Sequence, residues 1–172
     1  MPAIIRRRGR DMTFLVVPGP EVQRVSAALG QEDVAIPRQS RQVVRREARR
    51  LARVAQNKVR SLPIAGSSGR HTGLRRRVAA GVRVVDVPEG AHVQTTMAER
   101  DEAIIPWGLD SPKGWRHPVF GNREVWVQQR PHVHGWFRGT FEDGEHLIEQ
   151  SLEDVLERSA RRIAAEGRIR PL

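Results

Sequence analysis

The sequence predicts a single α+β domain, and three observations indicate this class. The chain has 172 residues, which is enough for one hydrophobic core. Two segments, 38–62 and 144–165, repeat apolar residues at steps of three and four, as amphipathic helices do. Between them lie short valine-rich runs bounded by Pro and Gly, which are typical of strands joined by turns. We expect a flexible basic arm at 1–11, the domain at 12–166 and a C-terminal tail at 167–172.

The N-terminal part of the domain is predicted to hold one strand and two helices. Residues 12–17 are an apolar run closed by Pro-Gly-Pro, which indicates a strand followed by a turn. Residues 21–29 place valines and a leucine at helical spacing ahead of a glycine, which predicts a short helix. The segment 38–62 predicts a long helix, with Ser40 as its N-cap and Pro63 beyond its end.

The middle of the chain is predicted to form strands and loops. A loop is expected at about 63–74, because Gly and Ser are frequent there and no hydrophobic period is present. Residues 78–87 are rich in valine and predict a strand, with 92–97 as its hairpin partner across a turn of about four residues. A second loop is expected at about 99–114, since its Pro and Gly residues rule out a long regular element, and residues 119–129 predict a further strand.

The C-terminal part is predicted to end in a helix. In the strand at 119–129, Trp126 and the flanking valines point to opposite sides of the pleat. Residues 133–141 are expected to form a loop packed by its own aromatic side chains. The helix at 144–165 carries acidic residues in its first half and arginines in its last turns, which suits the helix dipole.

One face of the predicted long helix carries a row of arginines that we call the arginine ladder. Its members lie four residues apart: Arg41, Arg45, Arg49 and Arg53. The whole segment holds nine cations against one acid, Glu47. Like charges four apart repel by a few tenths of a kcal/mol each, so the ladder weakens the helix unless a counter-charge arrives. Two interpretations stay open: a solvated face, or a face that meets phosphate or a neighbour's carboxylates.

The amino-acid composition excludes some classes of function and favours others. The net charge is +10, and of 30 Lys and Arg residues only Lys58 and Lys113 are lysines. A GC-rich genome also favours Arg over Lys, but the charge itself attracts nucleic acid or an acidic protein. There are no cysteines, which excludes disulfides, thiolate zinc sites and a Cys nucleophile. No segment approaches the roughly 18 apolar residues of a spanning helix or the apolar core of a signal peptide, so we expect a cytoplasm-like compartment.

Candidate catalytic and metal-ligating residues do not form a credible site. His132 and His134 would share one face of a strand, with His117 or His146 as a third zinc ligand, but the pair lies in an expected loop. His117, Asn122 and His132 follow the order of a His-Asn-His nuclease, at a spacing too short for its two strands and helix. No serine lies in a Gly-x-Ser-x-Gly context. We therefore expect no enzyme activity, no metal and no cofactor.

The cations alone predict affinity for a nucleic-acid backbone without sequence preference. No recognition-helix pattern, RNA-binding motif or zinc finger accompanies them, and the aromatic residues cluster with Pro and Gly instead of with the arginines. A non-specific nucleic-acid-binding module is therefore one candidate function.

A second candidate comes from the stretch Trp-Arg-His-Pro-Val-Phe-Gly-Asn-Arg at 115–123, followed by Val-Trp-Val-Gln-Gln at 125–129. With Gly-Leu-Arg-Arg-Arg at 73–77, a Trp-Phe pair at 136–137 and the two helices, it resembles the tail-completion or head-to-tail joining proteins of long-tailed double-stranded DNA phages. The resemblance covers about 40–165.

The resemblance implies a structural virion protein without enzymatic activity. Its fold would be a small twisted antiparallel sheet packed against the long Arg-rich helix and the C-terminal amphipathic helix. It would form a ring, expected to have six copies, in the virion neck, after assembly in the bacterial cytoplasm and without a membrane. The implied partners are the other neck proteins, the connector and the tail tube, with non-specific contact to packaged DNA. Completion, terminator and stopper positions stay open.

Two groups of residues are expected to carry this function. Glu149 and Glu153 of the last helix would meet the arginine ladder of a neighbouring subunit, or the ladder would face DNA in the lumen of the ring. The motif stretch would be a structural hairpin that enters a core strand, with large aromatic contacts inside the domain or against a neighbour. The residues of this motif hairpin are Trp115, His117, Pro118, Phe120, Gly121, Asn122 and Trp126, together with Trp136 and Phe137.

Overall fold

The computed structural model describes residues 4–7, 12–32, 35–63, 73–119 and 122–169. Its strands are β1 (Ile4–Arg7), β2 (Thr13–Val17), β3 (Val82–Val87), β4 (Gly90–Thr95), β5 (Trp115–Val119) and β6 (Asn122–Gln129). Its α-helices are α1 (Pro20–Glu32), α2 (Ala35–Ser61), α3 (Leu74–Gly81), α4 (Ile105–Asp110) and α5 (Arg138–Ile169), and a 3-10 turn spans Arg100–Glu102. This mixture of helices and antiparallel sheets confirms the predicted α+β class.

The larger sheet has the strand order β1-β2-β4-β3, and every neighbouring pair is antiparallel. Strands β3 and β4 form the predicted hairpin, but pairing continues to Val87 and Gly90. The turn is therefore two residues long, shorter than expected. Gly90 is required here, because a Cβ at this position would collide with the backbone carbonyl of Val16 in the adjacent strand β2.

Helix α2 packs against the sheet and against α5, and so occupies the centre of the molecule. Its predicted apolar face is fully confirmed, because each member is buried: Val44, Ala48, Leu51, Ala55, Val59 and Leu62. Gly144 of α5 lies against Leu51, where an added Cβ would come within 2.8 Å of the Leu51 Cδ1 atom. The small residue lets the two helices approach closely, and the core forms between them and the sheet.

The start of the chain differs from the expected flexible arm. Residues 4–7 form strand β1, and Ile4 pairs with Val17 of β2. Isoleucine is a favourable strand residue, and β2 offers an edge for pairing. The expectation of an arm is wrong for 4–7. The other residues of the expected arm, 1–3 and 8–11, lie outside the described residues.

Helix α2 begins earlier than predicted, at Ala35. Ser40 is therefore a buried residue inside the helix and not its N-cap. Pro37 does not prevent this start, because the first turn of a helix has no intrahelical partner for its N–H groups. The predicted end of the helix before Pro63 is confirmed.

One predicted strand and one predicted loop contain helices. Residues 64–72 of the first loop lie outside the described residues, but α3 begins at Leu74 and occupies part of the expected strand at 78–87. The Arg75 Nη1 atom donates to the carbonyl of Leu62 at 2.6 Å and ties α3 to the end of α2. The second loop contains the 3-10 turn and α4. Pro106 does not prevent α4, because it lies in the first turn, where an N–H group has no partner within the helix.

Candidate interaction surfaces

The motif stretch forms a two-stranded hairpin, β5–β6, that is a separate sheet. Trp115 pairs with Gln129 at its base, and Pro118 pairs with Trp126 further along. The register shifts between Pro118 and Val119, so the ladder is irregular next to the turn. The hairpin is thus confirmed, while Phe120 and Gly121 of its turn lie outside the described residues.

Strand β6 is not the core strand that its apolar residues suggested. Val125 and Val127 are 50% and 41% exposed on one side, and Trp126 is 47% exposed on the other. Because the side chains of a strand alternate between faces, both faces of β6 are open in the isolated chain. The expectation of a core strand is wrong: the hairpin lies outside the main sheet and displays large apolar side chains.

The base of the hairpin is firmly attached to the domain. Trp115 is buried against Gly108 of α4, where an added Cβ would come within 2.6 Å of the Trp115 Cβ atom. Gly114 precedes it with a φ of 68°, and a side chain there would collide with the Gln129 carbonyl. The Gln128 Nε2 atom donates to the Lys113 carbonyl at 2.6 Å. The buried role predicted for Trp115 is therefore met within the subunit.

Asp110 joins α4 to the start of α5. Its Oδ1 atom accepts the backbone N–H of Phe137 at 2.6 Å and that of Arg138 at 3.2 Å, and its carbonyl accepts the Gly135 N–H at 2.9 Å. The carboxylate thus occupies an N-cap role from a distant part of the chain. Burial raises the pKa of Asp110, while the bonds from Phe137 and Arg138 oppose that rise.

This cap explains why α5 begins at Arg138 and not near residue 144. The residues Trp136 and Phe137 of the motif precede the helix directly, and both are buried. Phe137 lies 5.1 Å from Phe141 and 5.4 Å from Phe14 between ring centroids, in an aromatic cluster of the core. The predicted aromatic packing is confirmed, and these side chains are core residues of the subunit.

The structure divides the arginine ladder into two pairs. Arg45 donates to the carbonyls of Val87 and Gly90 at 2.8 and 3.3 Å, and Arg49 bonds the Asp86 carboxylate at 2.6 Å. These two side chains hold the β3–β4 hairpin against α2. Arg41 and Arg53 are exposed and have no ion pair within the described part of the chain, and they are the ladder members open to a partner.

The acidic half of α5 lies beside the core and is only partly open. Glu149 is half-buried and Glu153 is exposed. Partial burial raises the pKa of Glu145, and the charge of Glu149 one turn away adds to the rise. The predicted contact of these acids is with the arginine ladder of a neighbouring subunit, and it stays a prediction; Arg45 and Arg49 bond to the sheet of their own subunit.

Helices α2 and α5 also border an open groove of about 540 Å³, which we call the arginine groove. Its polar lining residues are Gln39, Gln42, Arg46, Arg158, Ser159 and Arg162, above an apolar floor of Val43 and Val155. None of the described residues that line it is acidic. No sequence pattern points to this groove, because Arg46 and the two arginines of α5 are far apart in the chain.

The histidines considered as zinc ligands do not cluster. His132 and His134 are exposed, and His117 is half-buried with its Nδ1 atom 3.0 Å from the Pro118 carbonyl. Within the ranges that the structure describes, no group of three His, Asp or Glu side chains is placed to hold a metal ion. Of the helices in these ranges, none combines the length and apolar character needed to cross a bilayer.

No protein-family model, curated protein or solved structure matches this chain. Its function is therefore inferred from the three surfaces described above: the β5–β6 hairpin, the exposed ladder arginines and the arginine groove.

Proposed function

We propose that this chain is a structural protein of the neck of a long-tailed phage, where it forms a ring that completes the tail or joins it to the head connector. The observation that carries the proposal is the β5–β6 hairpin, which is anchored at its base and apolar on both faces beyond it. The resemblance of this hairpin's sequence to tail-completion proteins supports the same assignment. Six copies are the expected number.

The hairpin requires a partner for a physical reason. A two-stranded ribbon alone in water is marginally stable, and a third strand or a packed face is needed to stabilise it. Contiguous exposed apolar side chains on a soluble domain mark interaction sites. In a ring each subunit uses two different surfaces, so a projecting hairpin on one side can dock on the body of the next copy. We therefore assign the hairpin to the contact between neighbouring subunits.

Charge adds to this contact. Arg41 and Arg53 are exposed on α2, while Glu153 is exposed on α5 of the same chain. Opposite charges on two different surfaces favour head-to-tail association over a symmetric pair. Arg45 and Arg49 are excluded from this role, because they stabilise the subunit itself through β3 and β4.

The test is the mass of the purified chain by light scattering at two salt concentrations, alone and after mixing with the tail-tube and connector proteins encoded by the same phage. We expect a ring, alone or on mixing. The variant Val125→Thr/Val127→Thr should lose it, since threonine keeps the branched shape that strands favour but exposes a hydroxyl. Ile104→Thr/Val133→Thr is the matched control, because these side chains are 51% and 52% exposed outside the hairpin.

Two outcomes would contradict the proposal. Equal assembly of the hairpin variant and the control would show that the hairpin is not the contact. A wild-type chain that stays monomeric in every mixture and binds only DNA, with a steep loss in salt, would identify the alternative function, a non-specific nucleic-acid-binding module.

A further inference from the structure

We infer that the arginine groove between α2 and α5 binds the phosphate groups of a nucleic-acid backbone. This is a site apart from the arginine ladder and from the β5–β6 hairpin. It does not rest on ring assembly, since all of its lining residues come from one subunit.

The chemistry of the lining fits phosphate. The three guanidinium groups of Arg46, Arg158 and Arg162 present planar forks of N–H donors, which match phosphate oxygens in two-point contacts. The amides of Gln39 and Gln42 add neutral donors. Arg, Gln and Ser are side chains that proteins commonly use to contact phosphate oxygens of nucleic acids.

Two arginines of the groove, Arg46 and Arg158, are not neutralised by their local contacts. Arg46 lies 2.9 Å from a carboxylate oxygen of Glu47, but that buried acid also pairs with Arg50 at 3.5 Å, so two cations share one acid. Arg158 donates through Nε to the backbone carbonyl of Asp154 at 2.9 Å. That bond fixes the guanidinium without neutralising it. The arginines are therefore partly positioned before any ligand arrives.

The size of the groove suits more than one phosphate. The α2 wall runs from Gln39 to Arg46 and the α5 wall from Val155 to Arg162, and each spans about 10 Å at 1.5 Å per residue. Neighbouring phosphates of one strand of a duplex advance by about 3.4 Å along the helix axis, so each wall is longer than the axial step between two of them. No aromatic side chain lines the groove among the described residues, which leaves no platform for base stacking. The contact is therefore to the backbone and does not read sequence.

A second copy of the chain is the less favourable occupant. The chain carries a net charge of +10, so a nucleic acid, which is negative throughout, is attracted to this cationic groove more strongly than another copy of the chain. An acidic protein segment is the remaining competitor, and the test below separates it from a nucleic acid.

The test measures binding of the full chain to a short labelled DNA duplex by fluorescence anisotropy over a series of salt concentrations. Arg158→Gln/Arg162→Gln should weaken binding and make the slope of log K against log salt shallower by about 1.8, since each lost phosphate contact removes about 0.9. Arg83→Gln/Arg100→Gln removes the same number of charges at two exposed positions outside the groove and should change the slope far less. An equal effect of the two double variants would overturn the inference, because net charge alone would then explain binding.

Further measurements separate the remaining explanations. Circular dichroism of each variant shows whether the helices persist, and Arg46→Gln tests the opposite wall if the α5 variant does not fold. Arg158→Lys/Arg162→Lys keeps the charge and should recover most of the slope. Single-stranded RNA of equal length is titrated in parallel. The polymer whose affinity falls most in the groove variant is the one that the groove binds. Polyglutamate is titrated as a polymer that is acidic but has no phosphate. If it binds as tightly as DNA, and its affinity falls by the same factor in the groove variant, the groove is not a phosphate site.

Discussion

Replacement of Asp110 by alanine should destabilise the protein more than any surface substitution. The carboxylate accepts hydrogen bonds from the backbone N–H groups of Phe137 and Arg138 at the start of α5, and the N–H of Phe137 is buried. Loss of the acceptor leaves at least one buried donor unsatisfied, at about 1–3 kcal/mol, and removes an N-cap, at about 0.5–2 kcal/mol. The two effects overlap, so we expect a loss of about 2–4 kcal/mol in the free energy of unfolding.

The assay is urea unfolding followed by far-ultraviolet circular dichroism and by tryptophan fluorescence, which reports on the buried Trp136 next to the cap. For a chain of this size the expected loss corresponds to a fall in Tm of about 4–16 °C. Asp101→Ala is the control, because Asp101 is an exposed acid in the 3-10 turn and its loss should stay within about 0.5 kcal/mol. If the two variants lose the same free energy, the cap does not stabilise α5 and the reasoning is refuted.

Three other predictions concern the same framework. Burial raises the pKa of Asp110 in the folded state above its ordinary 3.8, so ionisation of this carboxyl opposes folding. The free energy of unfolding of the wild type, relative to that of Asp110→Asn, should therefore fall as pH rises from below 3.8 through the raised pKa. A difference between the two proteins that does not change with pH in urea titrations would contradict this. Gly114→Ala should lower the free energy of unfolding by more than about 1 kcal/mol, because Gly114 has a positive φ and a side chain there would collide with Gln129. Gly139→Ala should raise it by up to about 1 kcal/mol in the same assay, because Gly139 lies in α5 and an added Cβ would meet no atom within 4 Å. Arg45→Ala should lose about 1–2 kcal/mol through its two carbonyl bonds, and thermal unfolding indistinguishable from that of Arg53→Ala would show that these bonds do not stabilise the domain.

The elements that the sequence predicts well are those with a strong local period. The apolar face of α2 repeats over about five turns, from Val44 to Leu62, and a helix with such a long face buries it against the core. The hairpins at β3–β4 and β5–β6 are marked by Pro, Gly and Asn between valine-rich runs, which are local signals as well.

The elements that the sequence misses depend on contacts between distant residues. The early start of α5 requires Asp110, whose side chain reaches a helix that begins 28 residues later. No Ser, Thr, Asp or Asn occurs among residues 132–137, directly before the helix, so no local N-cap pattern indicates the boundary. In the same way, the ladder arginines look equivalent in sequence, and only the position of β3 and β4 separates Arg45 and Arg49 from the exposed pair.

The exposed hairpin has a different cause. Val125, Trp126 and Val127 are the residues of a buried strand by composition, and periodicity cannot distinguish a strand buried in its own domain from one buried by another chain. Such a strand is predicted as core in either case. A difference of this kind, confined to one hairpin, is what the proposed contact with another subunit would produce.

The pairing of β2 with β4 sets an order on folding during synthesis. Thr13 is paired with Gln94, so the centre of the sheet joins segments that lie far apart along the chain. On the ribosome β1 and β2 emerge early, and the edge of β2 that faces away from β1 stays unpaired until β4 has been made. Helix α2, which lies between them in sequence, can form in the meantime and offer β2 an apolar face. Long-range pairing of this type slows folding, and the exposed β2 edge is where nascent chains of this protein would associate wrongly.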